Sequence, residues 1–454
     1  MKKILGASAL GLALCFAACE TEKKNPNFQQ DAANAELLHT SLNDLTRIVK
    51  HDIFPPMIAA RIYTYANVAA WEALVAGSNL PNTPPQYAGY RSLVGQLKGL
   101  TAMPKPEAGK EYCYALAAVK AYMKVGKTLT FSEDSMAKAI EKQMVAFKKV
   151  GIPKDVFERS VALGDTIGGA VIAWSKKDNY AQTRSMPKYS VRLSDPTRWR
   201  PTSPDYADAF EPHWNKIRTT VLDSAAQFRV PPPPKFDSTK NSVFWKAANE
   251  VYETVKAARP EEIAIAKYWD DSPASTQNAG HVNMVVKKVT PGGHWLHIAQ
   301  WSARQKNFNL MQSAEAYLMA SLAIFDGFIS CWDEKYRSEH VRPETFINKY
   351  IAPEWSPVIV TPPFPEYTSG HSTISGASST VLNHFFGDNF GFRDSTEVQF
   401  GLGSREFKNF NEAAEQAAAS RLYGGIHYVY SNKRGLENGQ TLAKFILSKI
   451  KTKQ

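Results

Sequence analysis

The chain has 454 residues, 44% hydrophobic and 21% charged, with 27 Pro and 26 Gly, and its 54 Lys+Arg against 43 Asp+Glu give a formal charge of +11. Ordinary proline, glycine and apolar levels exclude disordered, collagen-like and disulfide-scaffold chains. The basic excess favours anions, but it is interleaved with acidic residues and carries no nucleic-acid motif, so no nucleic-acid partner is expected.

In chain order, Lys2 and Lys3, the apolar stretch Ile4 to Ala18 and the small-residue site Ala17-Ala18-Cys19 predict an export signal over 1–18. Cys19 after that small pair resembles the bacterial lipobox, with Phe16 where leucine is usual. The resemblance implies an exported lipoprotein of the bacterial cell envelope, attached to the membrane only by a lipid on Cys19, with 19–34 as a polar tether. An ordinary cleaved signal is the alternative. Cys113 and Cys331 are expected to stay unpaired, Cys331 lying in a strongly apolar segment. The best later span candidate, Tyr317 to Trp332, is interrupted by Asp326, Gly327 and two serines, so a soluble body is expected.

Region 35–177 reads as helical. Leu38, Leu42, Leu45 and Val49 repeat at helical spacing, Pro55-Pro56 breaks the pattern, and a small-residue stretch runs from Met57 to Ala76, predicting an antiparallel pair. Met136, Ile140, Met144 and Phe147 form a further stripe between Ser132 or Asp134 and Gly151, and Gly164, Gly168 and Gly169 mark a closely packed helix. Region 178–454 opens with nine prolines between Asp178 and Ser238. Trp199, Phe210, Trp214 and Phe228 make this an ordered wrap, because leaving them in water is costly. Helices are predicted over Asn241 to Arg259 and Glu261 to Trp269, and Ser313 to Trp332 is apolar on nearly every face, as a fully buried central helix is. No alternating run is long enough for a sheet. The expected fold is all-α, a multi-helix bundle forming one integrated domain.

Three short segments carry the chemistry. In Lys335-x6-Arg342-Pro343 the proline ends a helix and forces Arg342 out of helical geometry. Ser369-Gly370-His371 leads into the helical stretch Ser372 to Phe386, whose first amides form an anion-binding end that Gly370 leaves open. In Ser420-Arg421-x5-His427 the Gly424-Gly425 break lets Arg421 and His427 face one site, where an unbroken helix would set them about 600° apart. Three cations, a nest of amides, a hydroxyl and two histidines are what a tetrahedral or trigonal-bipyramidal oxyanion requires.

The ordered triplet resembles the signature of the superfamily that joins vanadium-dependent haloperoxidases with type 2 phosphatidic-acid phosphatases and bacterial acid phosphatases. The resemblance implies the bundle fold of that superfamily and a vanadate cofactor, or phosphate in the same pocket. It makes His427 the axial vanadium ligand or the phosphate-accepting nucleophile, and His371 the acid–base group. Lys335, Arg342, Arg421, Ser369 and Gly370 would hold the oxygens. Two positions depart from the pattern: Thr368 replaces a usual proline, and Ser431 replaces the aspartate that commonly orients the histidine, a task left to Asn432 or a backbone carbonyl.

The length before the first motif favours the haloperoxidase-like branch, as do Trp332 and Phe364, which match aromatic positions on the halide side of chloroperoxidase pockets. Pro291 to Trp295 and Trp269-Asp270-Asp271 also look like segments of that branch. Asp270 or Asp271 is a candidate to anchor Arg421, Glu339 and His340 are expected to face solvent, and His294 with His297 lacks the nearby carboxylates of a zinc site. The implied partners are hydrogen peroxide and halide, or a phosphate monoester. The implied function is a haloperoxidase; an acid phosphatase with a phosphohistidine intermediate and a non-catalytic oxyanion-binding lipoprotein are the alternatives.

Overall fold

A computed structural model describes residues 25–78, 80, 84–273, 275–279 and 282–454. The export signal and Cys19 lie outside the described residues. The helices are α1 (Phe28–Ala32), α2 (Ala35–His51), α3 (Pro56–Val75), α4 (Tyr114–Leu129), α5 (Glu133–Lys149), α6 (Lys154–Ser175), α7 (Tyr180–Thr183), α8 (Val243–Lys256), α9 (Pro260–Tyr268), α10 (Pro291–Gln305), α11 (Leu310–Ser338), α12 (Pro343–Tyr350), α13 (Gly370–Phe386), α14 (Phe410–Tyr423) and α15 (Val429–Lys449). The all-α reading holds. Among the described residues, strands are confined to two antiparallel ribbons, β1 (Ser275–Ala279) with β2 (Val282–Val286) and β3 (Phe392–Asp394) with β4 (Arg405–Phe407). The second pair is three residues long, too short for alternation to be legible in sequence.

Small residues decide the N-terminal packing. Every residue of α3 from Met57 to Val75 is buried, its faces taken by α4, α6 and α11. The expected antiparallel pair of α2 and α3 is therefore corrected: α2 packs mainly on α5, α4 and α11, and Tyr63 Oη reaches it through a hydrogen bond to Thr46 Oγ1 (3.1 Å). Of the stretch expected as a tether over 19–34, the described residues from Asn25 onward are packed on the body. Asn25 N–H donates to Gly151 O (3.0 Å), and Phe28 and Ala32 of α1 are buried in the core.

α11 runs through the centre, opened by a reciprocal Asn309–Gln312 capping box. By length and composition it could cross a membrane, yet its apolar stretch is wholly buried in the bundle. Asp326, which interrupts that stretch, anchors the proline-rich wrap: its carboxylate accepts the N–H groups of Thr220 (2.7 Å), Val221 (2.8 Å) and Leu222 (3.0 Å). Trp199 and Trp214 of the wrap are fully buried. One hydrophobic core extends from Phe28 to Ile450, joining both parts of the chain. Cys113 and Cys331 are buried and unpaired.

Candidate active site

Three chain breaks deliver the motif residues to one end of α11. Lys335 lies in its last turn, which closes when Glu339 takes a left-handed conformation (φ 47°) and donates its N–H to Lys335 O (2.8 Å). Pro343 starts α12 with Arg342 extended at its N-cap. Ser369 caps α13, its Oγ accepting Ser372 N–H (3.4 Å), so threonine at 368 does not cost the helix its cap. Gly425, at φ 79°, turns the chain between α14 and α15 and carries His427 into the same space.

The cations are held by neutral acceptors. Lys335 Nζ donates to the carbonyls of Pro365 and Glu366, both 2.9 Å, and lies 4.9 Å from the centre of the Phe364 ring. Burial pushes its pKa down to about 7. Arg342 donates from Nε to Phe364 O (3.0 Å) and from Nη1 to Ile426 O (2.9 Å) and His427 Nε2 (3.1 Å), while its buried Nη2 has no partner. Arg421 donates from Nε to Ser420 Oγ (3.0 Å) and from Nη2 to the Trp269 carbonyl.

His427 is the most constrained member. Its Nδ1 meets Glu366 Oε1 at 2.7 Å, and Arg342 donates to its Nε2, so the ring carries its proton on Nδ1 and keeps a lone pair on Nε2. Burial, reinforced by Arg342, Lys335 and Arg421, holds its pKa well below the ordinary histidine value and keeps the ring neutral. Glu366 thus performs the orienting task that the sequence assigned to Asn432 or a carbonyl. Asn432 instead accepts from Ser372 Oγ (3.5 Å), and the Ser431 carbonyl accepts Ser369 N–H (3.4 Å). The signal for Glu366 was present: it is an acidic residue inside the Phe364 to His371 segment.

His371, second residue of α13, directs Nε2 toward Asp271 Oδ2 at 3.5 Å. Burial, with Arg421 adding to it, lowers its pKa to about 4. Asp270 and Asp271 do not pair with Arg421 as the sequence suggested. Asp270 binds Lys288 (3.0 Å), Asp271 serves His371 and His294, and Arg421 takes the backbone of the same segment. Carboxylates do gather on His294, but from Asp271 and Asp394, far away in sequence. His340 is buried rather than exposed, its Nε2 2.7 Å from Tyr430 Oη, and the half-buried Glu339 is ion-paired with Arg198.

Residues 315–453 match the family of the VCPO second helical-bundle domain. The chain superposes on the crystal structure of a bacterial vanadium-dependent iodoperoxidase with TM-score 0.85 and 46% identity, covering 93% of this chain and 98% of that one. The chain belongs to the vanadium-dependent haloperoxidases. Two structures of bacterial vanadium-dependent chloroperoxidase, apo-type and holo-type, share the fold at 17% and 18% identity, with TM-scores 0.64 and 0.67. They cover 87% and 94% of this chain, and 95% and 98% of their own. No curated protein matches the chain.

In this haloperoxidase Gly370, His371, Arg421 and His427 open onto a cavity of about 260 Å³, with Asp270, Asp271, Trp332 and Phe364 also in its wall. Lys335 and Arg342 lie fully buried behind it. The Trp332 and Phe364 rings meet at 5.0 Å, and Trp332 Nε1 is tied to Phe210 O (3.2 Å). Sequence reasoning missed much of the remaining wall. Pro55 and Pro56, read only as a helix break, line it with Ile53, Phe210 and Phe328, so one side is ionic and the other apolar.

Proposed function

We propose that this cavity binds vanadate and uses it to oxidise iodide with hydrogen peroxide. The observation that carries the reading is His427 in the cavity wall, whose Nδ1 contact with Glu366 keeps the ring proton there and leaves Nε2 an acceptor, satisfied by Arg342 Nη1 while no oxyanion is bound. The rest of the cradle suits an oxyanion. The hydrogen bonds of Lys335, Arg342 and Arg421 go to neutral acceptors, which leaves their charge for an anion, and Arg342 Nη2 is a buried donor without a partner. A Cβ on Gly370 would lie 3.6 Å from Trp332 and 4.0 Å from Lys335, so glycine keeps the space between them clear.

When bound, vanadate supplies a Lewis-acid centre that activates hydrogen peroxide toward halide. His427 Nε2 would be its protein ligand, and Lys335, Arg342, Arg421 and the Gly370 amide would hold its oxygens. Halide oxidation by peroxide to hypohalous acid consumes one proton. His371, whose Nε2 lies 3.5 Å from Asp271 Oδ2, would exchange that proton at Nδ1. Trp332 and Phe364 give a polarisable halide an apolar approach and exclude water. Iodide is the halide of the 46%-identical structure.

The test is peroxide-dependent oxidation of iodide to triiodide by vanadate-loaded protein, with bromide and chloride run alongside. His427→Ala is expected to lose about 10³-fold in rate, as when a preorganised electrostatic contact is removed. A phosphatase is the second reading, favoured by Glu366, because a carboxylate on Nδ1 also prepares Nε2 as a nucleophile. Hydrolysis of a nitrophenyl phosphate without halide oxidation would overturn the first reading. We extend the proposal to export and lipid anchoring through Cys19, supported by the signal-like residues 1–18 and by a packed body from Asn25 onward. Mass spectrometry of the mature N-terminus decides it, and Cys19→Ala is expected to release the protein from membranes.

A further inference from the structure

Behind His371 lies a buried array that the proposed chemistry does not use directly. His294 on α10 is fully buried, with Nδ1 2.8 Å from Asp271 Oδ1 and Nε2 2.7 Å from Asp394 Oδ2. Both nitrogens face carboxylate oxygens, so both donate, as only the doubly protonated ring does. Its plane stacks on Trp269 at 4.6 Å and 15°. Burial opposes that charge, but the two carboxylates raise the pKa of His294 well above the ordinary value. Glu397, also buried, has a pKa pushed up to about 8 by burial and has neither carboxylate oxygen hydrogen-bonded. Asp394 is itself fixed, since its Oδ1 accepts Thr396 N–H (2.9 Å).

The geometry points to His294 as a positioning residue for His371, acting through Asp271. Held at one ring nitrogen by Asp394 and clamped flat by Trp269, His294 fixes the Asp271 carboxylate so that Oδ2 is presented to His371 Nε2. Those two atoms are buried, each lacks a hydrogen-bond partner, and they face each other at 3.5 Å, within ion-pair reach and just beyond a formed hydrogen bond. A carboxylate in that place commits the His371 proton to Nε2 and leaves Nδ1 as the exchanging nitrogen. The strut spans three elements: the chain after α9 supplies Asp271, α10 supplies His294 and β3 supplies Asp394. Its role in turnover rests on the haloperoxidase reading; its effect on the His371 tautomer does not.

The experiment uses the full chain in two states. In ¹⁵N-histidine spectra of the vanadate-free protein, His371 is expected as the Nε2–H tautomer, and His294→Phe, which keeps a ring against Trp269, should convert it to a mixture. In vanadate-loaded protein His294→Phe is expected to lower kcat about 10- to 100-fold, the usual effect of removing a partner behind a functional group. Peroxide and iodide KM should change by less than about threefold, as for an interaction expressed in turnover rather than binding. In a His371→Ala background the same change should alter the residual rate by less than about twofold, since the two residues act in series. Asp394→Asn carries the same readouts if His294→Phe fails to fold. A wild-type tautomer in either folded variant, or a full additional loss in the His371→Ala background, would falsify the assignment. If the wild type oxidises no halide, the haloperoxidase reading fails while the spectra still decide the strut.

Discussion

α4 meets α6 where a Cβ on Gly164 would fall 2.4 Å from Ala117 O, and α13 meets α15 where one on Gly439 would fall 2.0 Å from Thr373 O. Both interfaces bring backbones together through glycine, and both are buried. The first joins apolar surfaces and holds no cation of the site. The second stands directly behind the Ser369-Gly370 turn: a Cβ on Gly435 of α15 would lie 2.7 Å from Ser369 O. Close packing of α4 on α6 is therefore a matter of stability, whereas that of α13 on α15 also sets the position of the turn proposed to hold the oxyanion. A site that gathers three buried cations opposes folding, and the continuous core around α3 and α11 offsets that cost.

The sharpest way to break this contrast is Glu366→Gln. It keeps the size of the side chain but replaces the carboxyl group facing His427 Nδ1, whose pKa burial pushes up to about 7, with a weaker amide acceptor, and vanadate affinity and kcat should each fall about 10- to 100-fold. An unchanged affinity, read by titration of the vanadate-free protein, would remove Glu366 from the site. A pair of glycine variants then separates the two interfaces. Gly435→Ala should cost about 1–3 kcal/mol of stability by overpacking and also lower turnover per folded molecule, while Gly164→Ala should show a stability loss of the same order with turnover unchanged. Denaturant midpoints alongside specific activity test both, and equal activity in the two variants would erase the distinction.

The smallest expected effect concerns pH. Burial lowers the Lys335 pKa to about 7, so in the vanadate-free protein its positive charge is lost as pH rises through that value. Anion binding needs the charge restored. Vanadate affinity should therefore fall by up to about tenfold per pH unit above 7, through proton uptake at Lys335. Lys335→Arg keeps the charge across this range and should flatten the slope. Comparing the two slopes cancels the protonation of vanadate itself, and parallel slopes would show that Lys335 does not titrate there.

Much of this molecule is legible in its amino-acid sequence. The central helix was readable because Ser313 to Trp332 is apolar on nearly every face, and the three cation and histidine segments stood out because each adjoins a proline or a glycine that must break a helix. Glu366 is not legible as the orienting acid because that acid usually follows the histidine, at the position Ser431 holds here. A carboxylate can be supplied from any segment that reaches the ring, and five residues before His371 is near enough. The α2–α3 pairing failed for a related reason: adjacent amphipathic helices often pair, but a helix apolar on every side accepts partners wherever the chain brings them.

The amino-acid sequence by itself determined the all-helical character, the buried α11 and the residue types at the oxyanion end, because periodicity, chain breaks and charge are local properties. Tertiary structure alone decided who touches whom. It took Asp270 and Asp271 away from Arg421, gave His427 its carboxylate, buried His340 and set His294 between Asp271 and Asp394. Long-range contacts of buried polar groups are settled by which donors and acceptors the packed helices bring within about 3 Å, and spacing along the chain does not encode that.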